Sequence, residues 1–145
     1  MPRVYLGVGS NIDRENNIRG ALRALEERYG DIMVSPVYES AAVGFDGSPF
    51  YNLVVAIDTD KTVGMLAAEL RAIEEAWGRD RRSPKFSSRT LDIDILTWGN
   101  ACGEVDGVSL FSLPATILAL CAGASGAYGI YSMMDGLGWS GAVSI

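Results

Sequence analysis

Histidine is absent from all 145 residues of the chain. That one absence removes the Ser-His-Asp triad, the Cys-His pair and the His-rich zinc site. Any chemistry must therefore run on carboxylates, Lys, Arg, Tyr, backbone groups or metals held by oxygen. Cysteine is scarce: Cys102 and Cys121 show no CxxC spacing and read as two reduced thiols of a cytosolic protein. No run of eighteen apolar residues is free of polar breaks, so no membrane span is expected. The opening "MPRVYLGVGSN" lacks the long apolar segment and cleavage site of a signal peptide, and a cytoplasmic location is the expectation. Basic residues are outnumbered 12 to 18, for a net charge of −6. That balance speaks against a nucleic-acid binder and against adsorption to anionic membranes. Charge itself vanishes near the C-terminus. From Gly107 onward Asp135 is the only charged residue, and every Lys and Arg lies earlier. The expected organisation is a core over residues 1–106, with 107–145 an atypical, charge-poor tail of the same domain. That tail is either buried, covered by a partner, or not selected to fold.

What remains is ordinary globular composition, with 48% apolar residues, and a length that suits one core. Val4 to Val8 reads as a short strand ending at the turn cluster Gly9-Ser10-Asn11. Ile18, Leu22, Leu25 and Tyr29 recur at helical spacing, with Asp13 placed to cap the start and Gly30 the end. Ile32–Tyr38 reads as a second strand and "FYNLVVAIDT" as a third, separated by the loop "SAAVGFDGSP". Thr62 then caps a helix with Val63, Leu66, Leu70, Ile73 and Trp77 on one face, stopped by Gly78. A charged loop leads into a fourth strand, Thr90–Trp98. The order β-α-β-β-α-β predicts an α+β ferredoxin-like sandwich, an antiparallel sheet with both helices on one face.

The stretch "RTLDIDIL" puts two acids in an apolar run. Strand side chains alternate between faces, so Leu91, Ile93 and Ile95 share one face and Asp92 and Asp94 the other, about 7 Å apart at Cα. Two readings are open for the pair. They are solvated acids on a half-exposed strand, or they hold divalent cations, which offset both their mutual repulsion and the poor strand preference of Asp. The preceding segment bears on the choice. Arg79, Arg81, Arg82, Lys85 and Arg89 are opposed only by Asp80, a basic island in an acidic protein. Cations that bind phosphate oxygens, next to acids that hold Mg²⁺, point to nucleoside triphosphate chemistry. No GxxxxGK[ST] loop is present, and the glycines of "GVGSN" read as ending a strand packed closely on a helix. In "SPFYNLVVAI", Asn52 beside aromatics can read a planar heterocycle, or is a turn Asn among core aromatics.

Five ordered blocks, "VYLGVGSNI", "SPVYESAAVG", "PFYNLVVAI", "IEEAWGRDRR" and "KFSSRTLDIDIL", make the chain resemble the 6-hydroxymethyl-7,8-dihydropterin pyrophosphokinases of folate biosynthesis over about residues 4–106. The resemblance implies a ferredoxin-like fold and transfer of pyrophosphate from ATP to the pterin hydroxymethyl group, releasing AMP. It implies that Asp92 and Asp94 hold two Mg²⁺ ions, with Arg79 and Arg89 on the triphosphate as further catalytic groups. ATP would be contacted by Glu74, Arg79, Arg81, Lys85, Arg89 and Ile95. The pterin would be contacted by Ala41, Ala42, Val43, Phe50, Asn52, Phe86 and Asp92. The implied partners are these small molecules alone, with no nucleic acid or membrane, and the implied state is a monomer. The tail departs from the family. Pro114 is followed by Ala115 where the family carries a Pro-His pair that contacts ATP. A shifted reading frame or a divergent C-terminus accounts for this, and weakened ATP affinity is the expected consequence. The alternative to a working enzyme is an impaired pterin- or nucleotide-binding relative.

Overall fold

The fold is given by a computed structural model that describes residues 1–41, 47–78, 91–110 and 142–143. Its elements in chain order are β1 (Arg3–Ser10), α1 (Arg14–Tyr29), β2 (Met33–Val34), β3 (Val37–Ser40), β4 (Phe50–Asp58), α2 (Val63–Ala76), β5 (Asp92–Trp98), β6 (Gly103–Val105), β7 (Val108–Leu110) and β8 (Ala142–Val143). The main sheet runs β5-β1-β4-β3-β8, with β2 also on β4, and every pairing in it is antiparallel. This is the expected α+β ferredoxin-like arrangement, with β1 and β4 at the centre.

Alternation along the central strands builds the core. Val4, Leu6 and Val8 stand opposite Ile57, Val55 and Leu53 of β4. Leu6 and Val8 also stand opposite Ile95 and Ile93 of β5. All of these residues are buried, and they form one cluster with Ile18, Ala21 and Leu25 of α1 and Val63, Leu66, Leu70 and Ile73 of α2. Both helices therefore cover the same face of the sheet, each through an apolar stripe at helical spacing.

The helix ends follow expectation with one exception. Thr62 caps α2, its Oγ1 accepting from Met65 N at 3.2 Å. Gly30 closes α1 at φ +79°, where a side chain would be strained. Asp13 holds the capping position of α1, but in a left-handed conformation and without a side-chain cap bond. Its carboxylate instead accepts from the Asn16 amide at 3.1 Å. The second strand of the sequence reading is divided in two. Pro36 has no N–H to give a ladder. At the break, Ser35 pairs with Val54 through its own N–H to Val54 O (2.9 Å) and through Oγ, which accepts from Val54 N (2.8 Å).

An unanticipated hairpin follows β5. β6 and β7 are joined by Asp106 and Gly107, both at positive φ, as a two-residue Asp-Gly turn requires. Asp106 Oδ2 accepts from Gly64 N at 3.0 Å, so the turn also caps the start of α2. Leu110, past the expected core boundary at residue 106, is buried in the main core. The C-terminal end of α1 is tied to the middle of α2 by Glu69, which meets Arg28 (3.4 Å) and the Tyr29 hydroxyl (3.3 Å) as well as Lys61 (2.8 Å). Burial, reinforced by the Glu69 carboxylate, raises the Tyr29 phenol above its ordinary range and keeps it a donor.

The two helices also meet at Gly20, where a Cβ would lie 2.2 Å from the Trp77 ring. Gly20→Ala should gain roughly 1 kcal/mol of helix propensity and lose about 1–3 kcal/mol to overpacking. A net loss of stability with a shifted Trp fluorescence spectrum is expected in urea unfolding. A more stable variant would show that Trp77 yields freely.

Candidate functional site

The acids of β5 lie as the alternation requires. Ile93 and Ile95 are buried in the core, while Asp92 and Asp94 are half-buried on the opposite face. The register shows what shares that face. Asp92 stands opposite Gly9 of β1, Gly9 opposite Asn52 of β4, and Asn52 opposite Tyr38 of β3. One row across the sheet thus carries a carboxylate, a residue with no side chain, and a carboxamide. In the next row Asp94 faces Gly7, which in turn faces Val54. The two glycines of "GVG" leave the space between the acids of β5 and the β4 side chains free of any side chain of β1.

Gly9 is constrained from the β4 side. A Cβ there would stand 3.1 Å from Asn52 Oδ1 and 3.8 Å from Phe50 Cδ1, tighter than the Asn52 oxygen accommodates without moving. Gly9 is therefore favoured by its close packing on the Asn52 side chain of a neighbouring strand. The sequence reading had it meet a helix; the alternation turns it to the face away from the helices. Asn52 is 5% exposed and Phe50 half-buried at the start of β4.

On its outer side β5 meets α2. A cleft of about 210 Å³ is lined by Ala67, Leu70, Arg71 and Glu74 of α2, Asp92 to Ile95 of β5, and Val108 of β7. The helical residues recur three and four apart and so share one face. Glu74 is an acid on this buried stripe, 3% exposed. Its Oε2 accepts from Ile93 N at 2.8 Å, the amide between the two aspartates. A buried carboxylate needs such partners, and the bond fixes the height of α2 against the acids. Expected neighbours Glu74, Asp92, Asp94 and Ile95 are thus brought together. Arg71 joins them without having been anticipated; its spacing from Ala67 and Glu74 was the available signal.

Phe50 and Asn52 lie across β1 from the acids. Ala41 is exposed just after β3. Ala42 and Val43 fall outside the described residues, as do Arg79, Arg81, Arg82, Lys85, Phe86 and Arg89. Cys102 is a free, exposed thiol, and Cys121 is outside the described residues. Among the described residues no group of three or more His, Cys, Asp or Glu is placed to hold a metal. None of the described helices is long and apolar enough to cross a membrane.

Comparison with known proteins gives one answer. Residues 5–120 match the family model for 7,8-dihydro-6-hydroxymethylpterin-pyrophosphokinase, which runs beyond Asp106 into the charge-poor segment. The chain is 37% identical over 120 residues to a 2-amino-4-hydroxy-6-hydroxymethyldihydropteridine pyrophosphokinase of Aquifex aeolicus, covering 81% of this chain and 72% of that one. A protein of the same name from Haemophilus influenzae is 35% identical over 104 residues, 69% of this chain and 64% of its own. A folate synthesis bifunctional protein of Chlamydia caviae is 31% identical over 115 residues, 74% of this chain and 26% of its own.

The Glu74–Ile93 bond can be tested without assaying any activity. Glu74→Ala leaves the Ile93 amide without its acceptor and should lower unfolding stability by about 1–3 kcal/mol. Glu74→Gln, which retains an acceptor oxygen, should lose less. Faster hydrogen exchange at Ile93 in the Ala variant is the accompanying sign; unchanged protection would mean the bond is not formed.

Proposed function

The chain belongs to the 7,8-dihydro-6-hydroxymethylpterin pyrophosphokinase family, and on that premise we propose how its residues divide the work. Family membership makes it a pyrophosphokinase of folate biosynthesis, an enzyme class that uses ATP and Mg²⁺. The pterin hydroxyl attacks the β-phosphorus of ATP; the bond from that phosphorus to the α,β-bridging oxygen breaks, AMP leaves with the oxygen, and the hydroxyl proton is released.

In this reading Asp92 and Asp94 hold Mg²⁺, two ions in all. The donor set suits it: two half-buried carboxylates on one strand face, beside a cleft. Mg²⁺ is commonly held by one or two carboxylates and completes its shell with phosphate oxygens and water. Bound there, it supplies charge neutralisation to the triphosphate. Glu74 holds β5, and with it both acids, at a fixed height. Ile95 and the cleft beside Glu74 receive the nucleotide, and Arg79, Arg81, Lys85 and Arg89 contact its phosphates. Asn52 reads the edge of the pterin with donor and acceptor atoms. Phe50 and Phe86 offer it flat apolar faces, with Ala41, Ala42 and Val43 completing that wall. Transfer of this kind depends on positioning and charge compensation more than on a strong base, which suits a chain with no histidine.

The observation that carries the reading is the row Asp92–Gly9–Asn52. It has a carboxylate and a carboxamide flanking a position of β1 that carries no side chain, room in which a metal-bound phosphate and a ring substituent could meet. The same reading makes the protein a cytoplasmic monomer acting on small molecules, without nucleic acid or membrane. Its acidic charge speaks against nucleic acid and anionic membranes, and its exposed free thiol suits a reducing compartment.

Two measurements test it. Asp92→Asn and Asp94→Asn should each reduce AMP formation from ATP, Mg²⁺ and hydroxymethyldihydropterin by about a hundredfold or more, with the unfolding midpoint retained. Wild-type turnover in either variant would overturn the metal assignment. Gly9→Ala should raise the KM for the pterin and leave that for ATP, because its methyl group displaces the Asn52 oxygen; an equal effect on both would count against the placement of the pterin.

A further inference from the structure

We propose that Arg14, the first residue of α1, is a positioning residue for the wall formed by Phe50 and Asn52. The proposal rests on the reading of that wall as the pterin side of the site. Arg14 makes three contacts at once. Nη1 donates to Pro49 O at 3.0 Å, Nη2 pairs with Glu39 Oε2 at 2.8 Å, and the guanidinium carbon lies 3.7 Å from the centre of the Tyr51 ring. Pro49 and Tyr51 are the two neighbours of Phe50, and Glu39 stands opposite Tyr51 in the β3–β4 register. One side chain therefore grips the chain on both sides of Phe50 and ties it to the next strand.

The local geometry converts that grip into a direction. Proline fixes its own φ, and holding its carbonyl oxygen fixes ψ. With both torsions of Pro49 set and the peptide planar, the path on which Phe50 enters β4 is determined. Asn11 extends the hold by one residue, its Nδ2 donating to Ser48 O at 3.0 Å. Strand alternation puts Tyr51 on the face opposite Phe50 and Asn52, so Arg14 acts through the backbone and does not touch the substrate. A guanidinium suits the task because its planar fork donates at its edges while its face lies on a ring. The ion pair is about a third exposed, with side-chain exposures of 28% and 34%. Its Coulomb energy is therefore screened, and the contribution is geometric.

The test compares the full chain with Arg14→Met, Arg14→Lys and Asn52→Ala by steady-state kinetics in each substrate, alongside thermal melts. Met keeps the stem but has no donors; Lys keeps the charge but cannot fork. The expected result for Arg14→Met is a KM for the pterin raised about tenfold, a KM for ATP within about twofold, and a nearly unchanged melting temperature. Arg14→Lys should fall between Met and wild type, and it carries the test by the same readout if Arg14→Met does not fold. Wild-type pterin KM in a folded Arg14 variant, with Asn52→Ala impaired, overturns the role of Arg14 and leaves the wall in place. An equal rise in both KM values with a lowered melting temperature also overturns it, since that is loss of structure at large. An Asn52→Ala variant with unaltered pterin binding removes the wall assignment, and the proposal with it.

Discussion

The proposed site depends throughout on the two-residue period of β1. The strand lies between β4 and β5 and pairs with both. Its aliphatic residues, Val4, Leu6 and Val8, must then serve one face, and whatever alternates with them must serve the other. What alternates at the site end is glycine. The helices pack against the first face through seven buried side chains of α1 and α2. The second face is left with acids on one flank and an amide on the other. Slipping β1 by one residue would bring Val8 between Asp92 and Asn52 and turn Gly9 into the core. The register that builds the core is the register that builds the site.

The site's outer boundary is set differently, by a bond from one element to another. Periodicity alone places Glu74 on a buried stripe where a carboxylate is costly. The Ile93 amide compensates, and in doing so fixes α2 to the segment that bears both aspartates. Asp106 performs a related task at the other end of α2, where a turn residue of the β6–β7 hairpin caps the helix. Between these two bonds α2 has little freedom to slide along β5.

Much of this was legible in the sequence where the signal was local. The alternation in "LDIDIL", the apolar stripes of both helices and the cap at Thr62 each depend on residues within a few positions of one another. The break at Ser35-Pro36 was legible too, since proline withholds a ladder donor, though a continuous strand was expected there. The Asp106-Gly107 turn carried its own cue but lay at the edge of the charge-poor segment and was not taken up. What local pattern cannot supply is the partner across space. Glu74 finds its donor 19 residues away and Arg14 its carbonyl 35 residues away. The reason for Gly9 is an amide on another strand. The resemblance put Glu74 beside the nucleotide but could not say that its carboxylate would hold a backbone amide. The basic residues between Arg79 and Arg89 lie outside the described residues and stand as the sequence presents them.

The Glu74–Ile93 bond has a further effect unrelated to catalysis. Among the described residues β5 is the last strand of the main sheet on its side, and an outer strand with free amides invites a foreign strand to extend it. Here an outward amide in the middle of the aspartate pair is already taken, and the two flanking carboxylates set like charge against like in any second copy laid alongside. The same three acids that the proposed reading places beside a phosphate make the strand a poor template for aggregation.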